Sequence, residues 1–504
     1  MKVQSFEDFS GGLDTRKPHN INSKDTLRVL RNAYVTSGQS IRTRPGLRYL
    51  GDLKEDAPEL ENGLGSYNGR LHVFSNTTSG TQIVGEGTEF EIEVYTHKVQ
   101  YQAERAAESA GWQLPNSGAE LPGFVSFCGG FNAGMYASIK FGNGRNLHYY
   151  LLDEDMPPPS TGTSGSTRHP IQDNNCPHTQ EVTIASQKVW AAKENSVAYS
   201  ATSSPTDWST SENAGFLATG DRSPGSSKTT GLGVVSNRLV VFHEDAAQIW
   251  ATDPDPTKNE LEEIISGMGT RWSESIVAAN KDLYFLSDVG IRSIGGQSMY
   301  RNMKGSDVGS PIDKLVQDHI RSHEGRVDGN FYAGAGQYWI TVGDETAVLT
   351  KSSRDRLEAW SVYTFAIPFG QMAHVGERLY VREGNSLYAM DHQATLDGEG
   401  KQDAPFEVTV ETPFYSFGTE GQFKQFQSME AILEGFGTID HCVNPNDNDD
   451  RTAQFQLAGD SRPHPTIPLG ILAPALSTKI VGQSPDLKSI NSLIYRYETT
   501  SGGI

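Results

Sequence analysis

The chain has 504 residues, of which 62 are acidic and 42 basic, and its formal net charge is −20. This length predicts two or three domains, or one large closed β architecture with an appendage. The charge excludes the broad basic face with which sequence-reading DNA-binding proteins contact phosphates. Glycine occurs 52 times and charged residues make up 21%, which favours many short strands and tight turns.

The start of the chain carries no sign of export or membrane insertion. Residues 1–8 contain no apolar core of a signal peptide, and no apolar run reaches the ~18 residues of a transmembrane helix. The three cysteines, Cys128, Cys176 and Cys442, lie far apart and cannot all pair, which excludes a disulfide scaffold. We therefore expect a protein without a membrane span that folds in a reducing compartment.

An imperfect repeat of β-hairpins occupies the middle of the chain. Each unit has a polar turn, a short apolar strand, a second turn and another strand. From Val189 to Leu379 the units start roughly 50, 44, 55 and 41 residues apart, a spacing typical of β-propeller blades. Radial stacking would bury both faces of each sheet, whereas a sandwich or barrel is the alternative. The hairpins begin at Leu71, Val189, Leu239, Leu283, Tyr338 and Leu379.

The interval between Leu71 and Val189 is too long for one blade. Within it, residues 99–110 place their apolar side chains on one helical face, and Gly111 can end the helix. Residues 157–166 are rich in Pro, Ser, Thr and Gly, which is typical of an exposed loop. We therefore expect an insertion over about 96–180 instead of a plain blade.

Two further elements follow. A helix is predicted over 311–321, where Ser310 can cap its start and Asp313 complements the helix dipole. The repeat ends near Asp391, and a polar linker over 398–403 leads to a different β-rich module.

The predicted fold is therefore mainly β. It has an N-terminal platform segment over 1–50 and a β-propeller-like domain over 51–400 that carries the insertion. A β-rich module over 401–504 completes the platform, so the platform is built from both chain termini.

Each catalytic or metal-binding pattern in the sequence lacks at least one required residue. Residues 220–225 have the spacing of a phosphate-binding loop, but Ser226 stands where lysine is required. His243 and His323 each begin a zinc-protease pattern that has no second histidine. Residues 444–450 are rich in Asn and Asp but lack the Gly and Glu of a calcium loop. No catalytic residue, metal site or cofactor is therefore predicted.

Carboxylates and aromatic side chains are too numerous to indicate a site by themselves. Among 62 acids, some pair will always have the separation that glycoside hydrolysis needs. Aromatic residues on blade strands can stack on sugars, but at such positions they more often form the core between blades. The residues concerned are Trp190, Trp250, Tyr284, Trp339 and Tyr380.

The N-terminal segment is the most distinctive part of the chain. Residues 9–12 read Phe-Ser-Gly-Gly, residues 30–33 read Leu-Arg-Asn-Ala, and residues 42–46 read Arg-Thr-Arg-Pro-Gly. This order resembles the opening of the tail nozzle proteins of short-tailed bacteriophages, also called packaged-DNA stabilisation or tail tubular proteins. Stretches within 239–250 and 267–294, and the entry to the last module near 414–424, are similar to later parts of that family. The candidate interface residues are Phe9, Gly11, Gly12, Arg42, Arg44, Pro45 and Gly46.

The chemistry of these motif residues suggests local roles. The Gly11-Gly12 pair can adopt positive φ, and Pro45-Gly46 suits the centre of a type II turn. Arg42 and Arg44 alternate along an extended strand, so we expect both to point the same way and to pair with acids of a neighbouring subunit. The alternative is an intramolecular turn with solvated arginines.

The resemblance implies a structural virion protein of the tail, without enzymatic activity, that is assembled in the cytoplasm of the bacterial host. Members of the family form a homo-hexameric ring below the portal and adaptor rings. They close the DNA channel, retain packaged DNA, open for ejection, and dock fibres, spikes or a needle. The segment over about 96–180 is the candidate tip or partner dock. An acidic lumen would let genomic double-stranded DNA pass without sequence-specific binding.

Two other functions are left open by the sequence. A tail-associated β-propeller glycan depolymerase would act on host surface polysaccharide, and its turnover would depend on individual carboxylates. The second is a cellular propeller that serves as an interaction scaffold. Its gene would not lie beside portal and terminase genes, whereas the gene of a phage tail protein would.

Overall fold

The chain is mainly β and contains a β-propeller, as predicted. The helix predicted over 99–110 and the loop over 157–166 lie outside the described residues. The computed structural model describes residues 1–16, 24–53, 63–75, 80–98, 126–131, 134–141, 144–151, 167–171, 173–179, 181–209, 213–222, 228–279, 281–296, 303–322, 327–352, 355, 357–418, 420–447, 450–459 and 465–500.

Five separate four-stranded sheets form blades 1 to 5 of the propeller. Blade 1 comprises Gly63–Tyr67, Arg70–Ser75, Gly80–Val84 and Ile92–Lys98. Blade 2 comprises Ser126–Phe131, Gly134–Phe141, Gly144–Leu151 and Thr167–Pro170. Blade 3 comprises Val182–Ala185, Lys188–Lys193, Ser196–Tyr199 and Gly215–Leu217. Blade 4 comprises Thr229–Val235, Arg238–His243, Ala246–Ala251 and Glu260–Ser266, and blade 5 comprises Val277–Ala279, Asp282–Ser287, Gly290–Gly296 and Met303–Ser306.

Two further four-stranded units share strands with the rest of the molecule and complete the ring. Blade 6 comprises Val327–Tyr332, Gln337–Val342, Glu345–Ser352 and Leu357–Thr364, and its last strand continues into the platform sheet. Blade 7 comprises Gln371–Val375, Arg378–Glu383 and Ser386–Asp391, and its fourth strand is Gly46–Asp52, which pairs in parallel with Asp397–Glu399. The first strand of each blade contacts that of the next, and blade 7 contacts blade 1, so within the described residues the ring closes with seven units.

Tight turns explain why the repeat folds into meanders. The turns Asn68-Gly69, Ser186-Gln187 and Ser236-Asn237 join first and second strands, and both of their central residues have positive φ. This backbone twist matches that of two paired strands, which is why such turns favour hairpins.

The aromatic residues of the repeat form the core, as predicted. Trp190 and Trp250 are buried in one cluster that joins blades 3 and 4, and Trp339 and Tyr380 are buried at the two faces of blade 7. The indole N–H of Trp190 donates to the carbonyl of Ala185 at 2.9 Å, so the ring is buried without an unsatisfied donor. These buried rings cannot stack on a sugar.

The segment over about 96–180 differs from the expected insertion. Blade 2 lies within it, because a four-stranded sheet occupies this part of the ring between blades 1 and 3. The interval from Leu71 to Val189 is too long for one blade because it holds most of blade 1 and all of blade 2.

The helix predicted over 311–321 is present as Asp313–Ser322 and packs between blades 5 and 6. Asp313 in its first turn also binds the guanidinium of Arg292, with two contacts of 2.9 Å. Among the described residues, no helix is both long and apolar enough to span a membrane.

The platform is built from strands of both chain ends. Lys2–Phe6 pairs with Leu487–Thr499, and Val29–Arg31 lies between Glu407–Glu411 and the last strand of blade 6. The 19-residue strand Lys424–Cys442 pairs with Leu487–Thr499 along its first half and with Ser477–Gln483 along its second. The remaining strands are Gly12–Leu13, Thr26–Leu27, Ala33–Val35, Ile41–Thr43, Phe455–Ala458 and Ile467–Ala473.

Candidate functional site

Arg44 lies where the platform meets the propeller, and its side chain is fully buried. Its two terminal nitrogens donate to the carboxylate of Asp397 at 2.8 and 2.7 Å. The same nitrogens donate to the carbonyls of Pro45 and Thr364, each at 2.9 Å, and Nε donates to Asn32 Oδ1 at 3.0 Å. All five N–H groups of the guanidinium are therefore used, which is the condition for a stable buried arginine.

Asn32 completes this cluster. Its amide nitrogen donates to Thr364 Oγ1 at 3.0 Å and to the carbonyl of Glu407 at 2.7 Å, and its oxygen accepts from the backbone N–H of Thr364 at 2.8 Å. The ring of Phe406 lies 3.6 Å from the Arg44 guanidinium carbon and adds a cation–π contact. We call Asn32, Arg44, Thr364, Asp397 and Glu407 the Arg44 joint, because they connect the N-terminal segment, blade 6 and the C-terminal module.

The glycines of the motif permit close packing. Gly12 has a φ of +57°, and a Cβ there would lie 2.9 Å from the Trp360 backbone nitrogen. Phe9 is buried in the platform core, and a Cβ on Gly11 would lie 2.6 Å from Thr26 Cγ2. The expected positive φ is therefore found at Gly12.

The predicted type II turn at Pro45-Gly46 is wrong. Gly46 is not among the glycines with positive φ, and it begins the strand Gly46–Asp52 with its N–H bonded to the carbonyl of Ala394 at 2.8 Å. A Cβ at Gly46 would collide with the carbonyl oxygen of Leu396. Close strand packing, and not turn geometry, requires glycine at this position.

The two arginines of the motif have different environments. Arg44 pairs within its own chain, so the expectation that it contacts a neighbouring subunit is wrong. Arg42 is exposed, and within the described part of the chain no hydrogen bond or ion pair is recorded for it. It lines a cleft of about 690 Å³ between platform and propeller, where Tyr34 is its cross-strand neighbour and His392 lies opposite.

Electrostatics in this cleft follow from burial and from the charge of Arg42. Burial raises the pKa of Tyr34, and the positive charge of Arg42 only partly offsets that effect. Burial and Arg42 both lower the pKa of His392. The cleft therefore presents Arg42 as a cation beside a neutral phenol and a neutral imidazole at neutral pH.

A second cavity lies on the propeller axis. Its volume is about 470 Å³, and the first strands of blades 1, 3, 4, 6 and 7 line it together with residues at the start of blade 5. Its polar lining residues are Ser66, Glu181, Thr183, Ser273, Glu274, Asp328, Asn330, Gln371 and His374. We call this space the axial cavity.

Hydrogen bonds fix part of the wall of the axial cavity. Asp328 Oδ2 accepts from the backbone N–H of Met372 at 2.8 Å, and Asn330 donates to the Met372 carbonyl at 3.1 Å. Asn330 Oδ1 lies 2.9 Å from His374 Nδ1, and burial lowers the pKa of His374. Gln371 is 1% exposed, and neither polar atom of its side chain makes a hydrogen bond within the described residues.

The other patterns considered in the sequence have structural environments. His243 is buried at the end of a blade 4 strand, with Nδ1 3.0 Å from the carbonyl of Lys228. Gly220–Arg222 forms one 3-10 turn. Burial raises the pKa of the Cys176 thiol. Among the described residues, no group of three or more His, Cys, Asp and Glu side chains is placed to hold a metal ion.

The residues of the axial cavity were not found by sequence reasoning. Each blade contributes at most two polar residues, so no local spacing links them. One sequence signal for these lining residues was available. A polar residue stands just before or within the strand that precedes a predicted hairpin, as in Ser66, Glu181 and Asp328.

No protein-family model and no curated protein matches the chain. Solved structures with partial likeness include a protein from Lactobacillus plantarum, with 9% identity, a TM-score of 0.33 and coverage of 53% of this chain and 80% of that one. An exo-β-1,3-galactanase from Phanerochaete chrysosporium with galactose has 9% identity, a TM-score of 0.25 and coverage of 74% and 95%. PorZ, a surface component of the type-IX secretion system of Porphyromonas gingivalis, has 12% identity, a TM-score of 0.35 and coverage of 76% and 44%. Likeness at this level carries no functional argument.

Proposed function

We propose that this chain is a structural component of the tail of a short-tailed bacteriophage. In this proposal six copies form a nozzle ring that closes the DNA channel, retains packaged DNA and opens for ejection. The ring contacts the adaptor or portal proteins and docks fibres or spikes. The protein would then act in the virion tail and have no catalytic activity.

The observation that carries this proposal is the position of the motif residues. The Leu-Arg-Asn-Ala and Arg-x-Arg-Pro-Gly segments, which carry the resemblance, converge at the Arg44 joint and supply Asn32 and Arg44. Every donor of that arginine is used inside the chain, so the joint fixes the platform relative to the propeller. A channel component that holds DNA under pressure needs such a connection between its modules.

Exposed groups on the platform support an assembly role. Val3 and Leu472 are exposed apolar side chains on platform strands, and Phe436 is exposed on the long strand Lys424–Cys442. These side chains would lose contact with water if another subunit covered them. Arg42 in the cleft supplies a cation that can pair with an acid of a neighbouring copy.

Electron microscopy of the purified protein and of virion tails tests the proposal. We expect a six-fold ring with a central channel, and an antibody against the chain should label the tail below the portal. Mass photometry over a range of protein concentrations should show the hexamer. A protein that stays monomeric and is absent from purified virions would contradict the tail role.

A glycan depolymerase is the second candidate, and the axial cavity is the observation that favours it. Glu181, Glu274 and Asp328 bring carboxylates from three blades to one open space, and glycoside hydrolysis uses two carboxylates. Release of reducing sugar from capsular polysaccharide or lipopolysaccharide is the assay. Activity that disappears in both Glu274→Gln and Asp328→Asn, but persists in Glu263→Gln on an outer strand, would replace the structural proposal with this one.

A further inference from the structure

The cleft between platform and propeller has a positively charged lining. Arg42 is exposed there, and no ion pair is recorded for it in the part of the chain that the structure describes. Lys488 also lines the cleft, but it lies 3.4 Å from Glu434 Oε1, so these two residues add no net charge. Arg44, in the wall, pairs with Asp397. In a chain with a formal charge of −20, this cleft is therefore a local site of attraction for anions.

Strand pairing places a hydroxyl group on each side of the Arg42 guanidinium. Arg42 is opposite Tyr34 on one neighbouring strand and opposite Ser489 on the other, and all three residues line the cleft. Cross-strand neighbours on one face of a sheet have Cβ atoms about 5 Å apart. Burial raises the pKa of Tyr34, so its phenol keeps its proton at neutral pH. One small ligand can therefore reach a cation and two neutral hydroxyl groups.

The rest of the lining favours a ligand with a polar body. Within the described residues, no side-chain hydrogen bond is recorded for three further members of the lining, which are Ser37, Thr395 and Asn491. Apolar side chains are a minority in the lining, and Leu487 among them is buried. A ligand that fills part of these 690 Å³ therefore meets hydroxyl and amide groups, which suit hydroxyl groups on the ligand.

We propose that this cleft binds a sugar that carries a phosphate or carboxylate group. The anionic group contacts Arg42 together with the hydroxyls of Tyr34 and Ser489, and the sugar hydroxyls contact Ser37 and Asn491. A guanidinium suits this anion because its fork of N–H donors matches two oxygens of a carboxylate or phosphate. This inference goes beyond the proposed tail function and does not depend on it, because a monomeric chain has the same cleft.

Isothermal titration calorimetry on the full chain tests the proposal. The probes are glucuronate and the phosphate monoester of glucose at its primary hydroxyl, and we expect at least one of them to saturate one site per chain. Arg42→Gln should weaken that binding roughly 10- to 100-fold, because a hydrogen bond to a charged group is lost. Ser489→Ala removes a neutral donor and should weaken binding only about 3-fold.

The matched control is Arg321→Gln, which removes an exposed arginine from the helix Asp313–Ser322, outside the cleft, and should leave the affinity unchanged. Glucose has the sugar hydroxyls without the anion and should not saturate the site. Acetate and inorganic phosphate lack the sugar body and should bind about 10-fold more weakly than the preferred probe. Circular dichroism and thermal melting confirm that each variant is folded.

Four results would each overturn the proposal. The first is equal weakening in Arg321→Gln and Arg42→Gln, and the second is saturation by glucose. The third is an affinity for acetate or inorganic phosphate equal to that for the preferred probe, because the sugar body would then make no contact. The fourth is the absence of saturable binding of either probe by the folded wild type.

Discussion

The Arg44 joint and the axial cavity are both polar clusters made by strands from distant parts of the chain. In the joint, one cation faces one carboxylate, and all five guanidinium donors have acceptors. In the axial cavity, three carboxylates share a space whose described lining has no lysine or arginine, and the Gln371 amide makes no hydrogen bond in the described chain. The comparison separates two kinds of buried polarity, because a fully hydrogen-bonded cluster specifies and stabilises the fold whereas a buried amide without a hydrogen bond costs stability.

Breaking the joint should have the largest effect. Arg44→Met leaves Asp397 as a buried charge without its counter-ion, which costs about 3–5 kcal/mol. We expect a corresponding drop in the free energy of unfolding, measured by urea denaturation and followed by far-UV circular dichroism. The double variant Arg44→Met with Asp397→Leu should recover most of the loss, because it removes both charges.

Arg42→Met is the matched control for this experiment. Arg42 is exposed, and within the described residues it has no recorded ion pair, so its replacement should change stability by less than about 0.5 kcal/mol. Equal losses of unfolding free energy in Arg44→Met and Arg42→Met would show that burial of the Arg44–Asp397 pair makes the joint no more important for stability than an exposed arginine.

Buried histidines extend the comparison to pH. Burial lowers the pKa of His441 in the platform and of His72 in blade 1 from 6.5 to about 4. As the pH falls, the unfolded chain therefore protonates each histidine before the folded chain does. The stability that each neutral histidine contributes is fully present above pH 6.5 and is lost as the pH falls towards 4. Each histidine accounts for roughly 3 kcal/mol of that loss.

The measurement is the urea midpoint at several pH values between 7 and 4, for the wild type, His441→Gln and His72→Gln. Each variant should show a flatter pH dependence than the wild type. If the Arg44 joint couples the platform to the propeller, either histidine will shift one common transition. Two separate transitions, with His441→Gln affecting only one, would show that the modules unfold independently.

The glycines around the joint should give an intermediate effect. Gly46→Ala places a methyl group against the Leu396 carbonyl, and overpacking of this kind costs about 1–3 kcal/mol. Gly38→Ala is the comparison, since its Cβ would meet only Thr36 Oγ1, at 3.7 Å. Thermal melting should show a lower Tm for the first variant and little change for the second. An unchanged Tm for Gly46→Ala would mean that the strand Gly46–Asp52 can shift to make room for the methyl group.

The smallest effect is expected in the axial cavity, and with the opposite sign. Gln371→Leu removes a buried amide that has no hydrogen bond in the described chain, so the variant should be as stable as the wild type or up to about 1 kcal/mol more stable. Urea denaturation is the measurement. A loss above about 1 kcal/mol would indicate that Gln371 stabilises the folded chain itself.

Much of the propeller was predictable from local sequence. Residues such as Asn237 and Gly69 mark the hairpin turns, and the large apolar residues that follow them form the buried strands. These signals are local because a hairpin is defined by neighbouring residues. The helix over 311–321 was predictable for the same reason.

Contacts between distant residues were not predictable in the same way. Arg44 and Asp397 are 353 residues apart, so no spacing links them, and the sequence alone predicts that Arg44 contacts a neighbouring subunit. The sequence predicts a turn at Gly46 because Pro-Gly is a common turn pair, whereas pairing with the last blade imposes an extended backbone. The axial cavity is lined by residues of six blades, which only ring closure brings together.

Ring closure also has a consequence for synthesis of the protein. The strand Gly46–Asp52 completes a blade whose other strands end at Asp391, so it leaves the ribosome more than 300 residues before its partner. At bacterial or eukaryotic elongation rates of about 5–20 residues per second, this delay is roughly 20–70 s. During that time the strand has unpaired edges, which favours recruitment of a holding chaperone to the nascent chain.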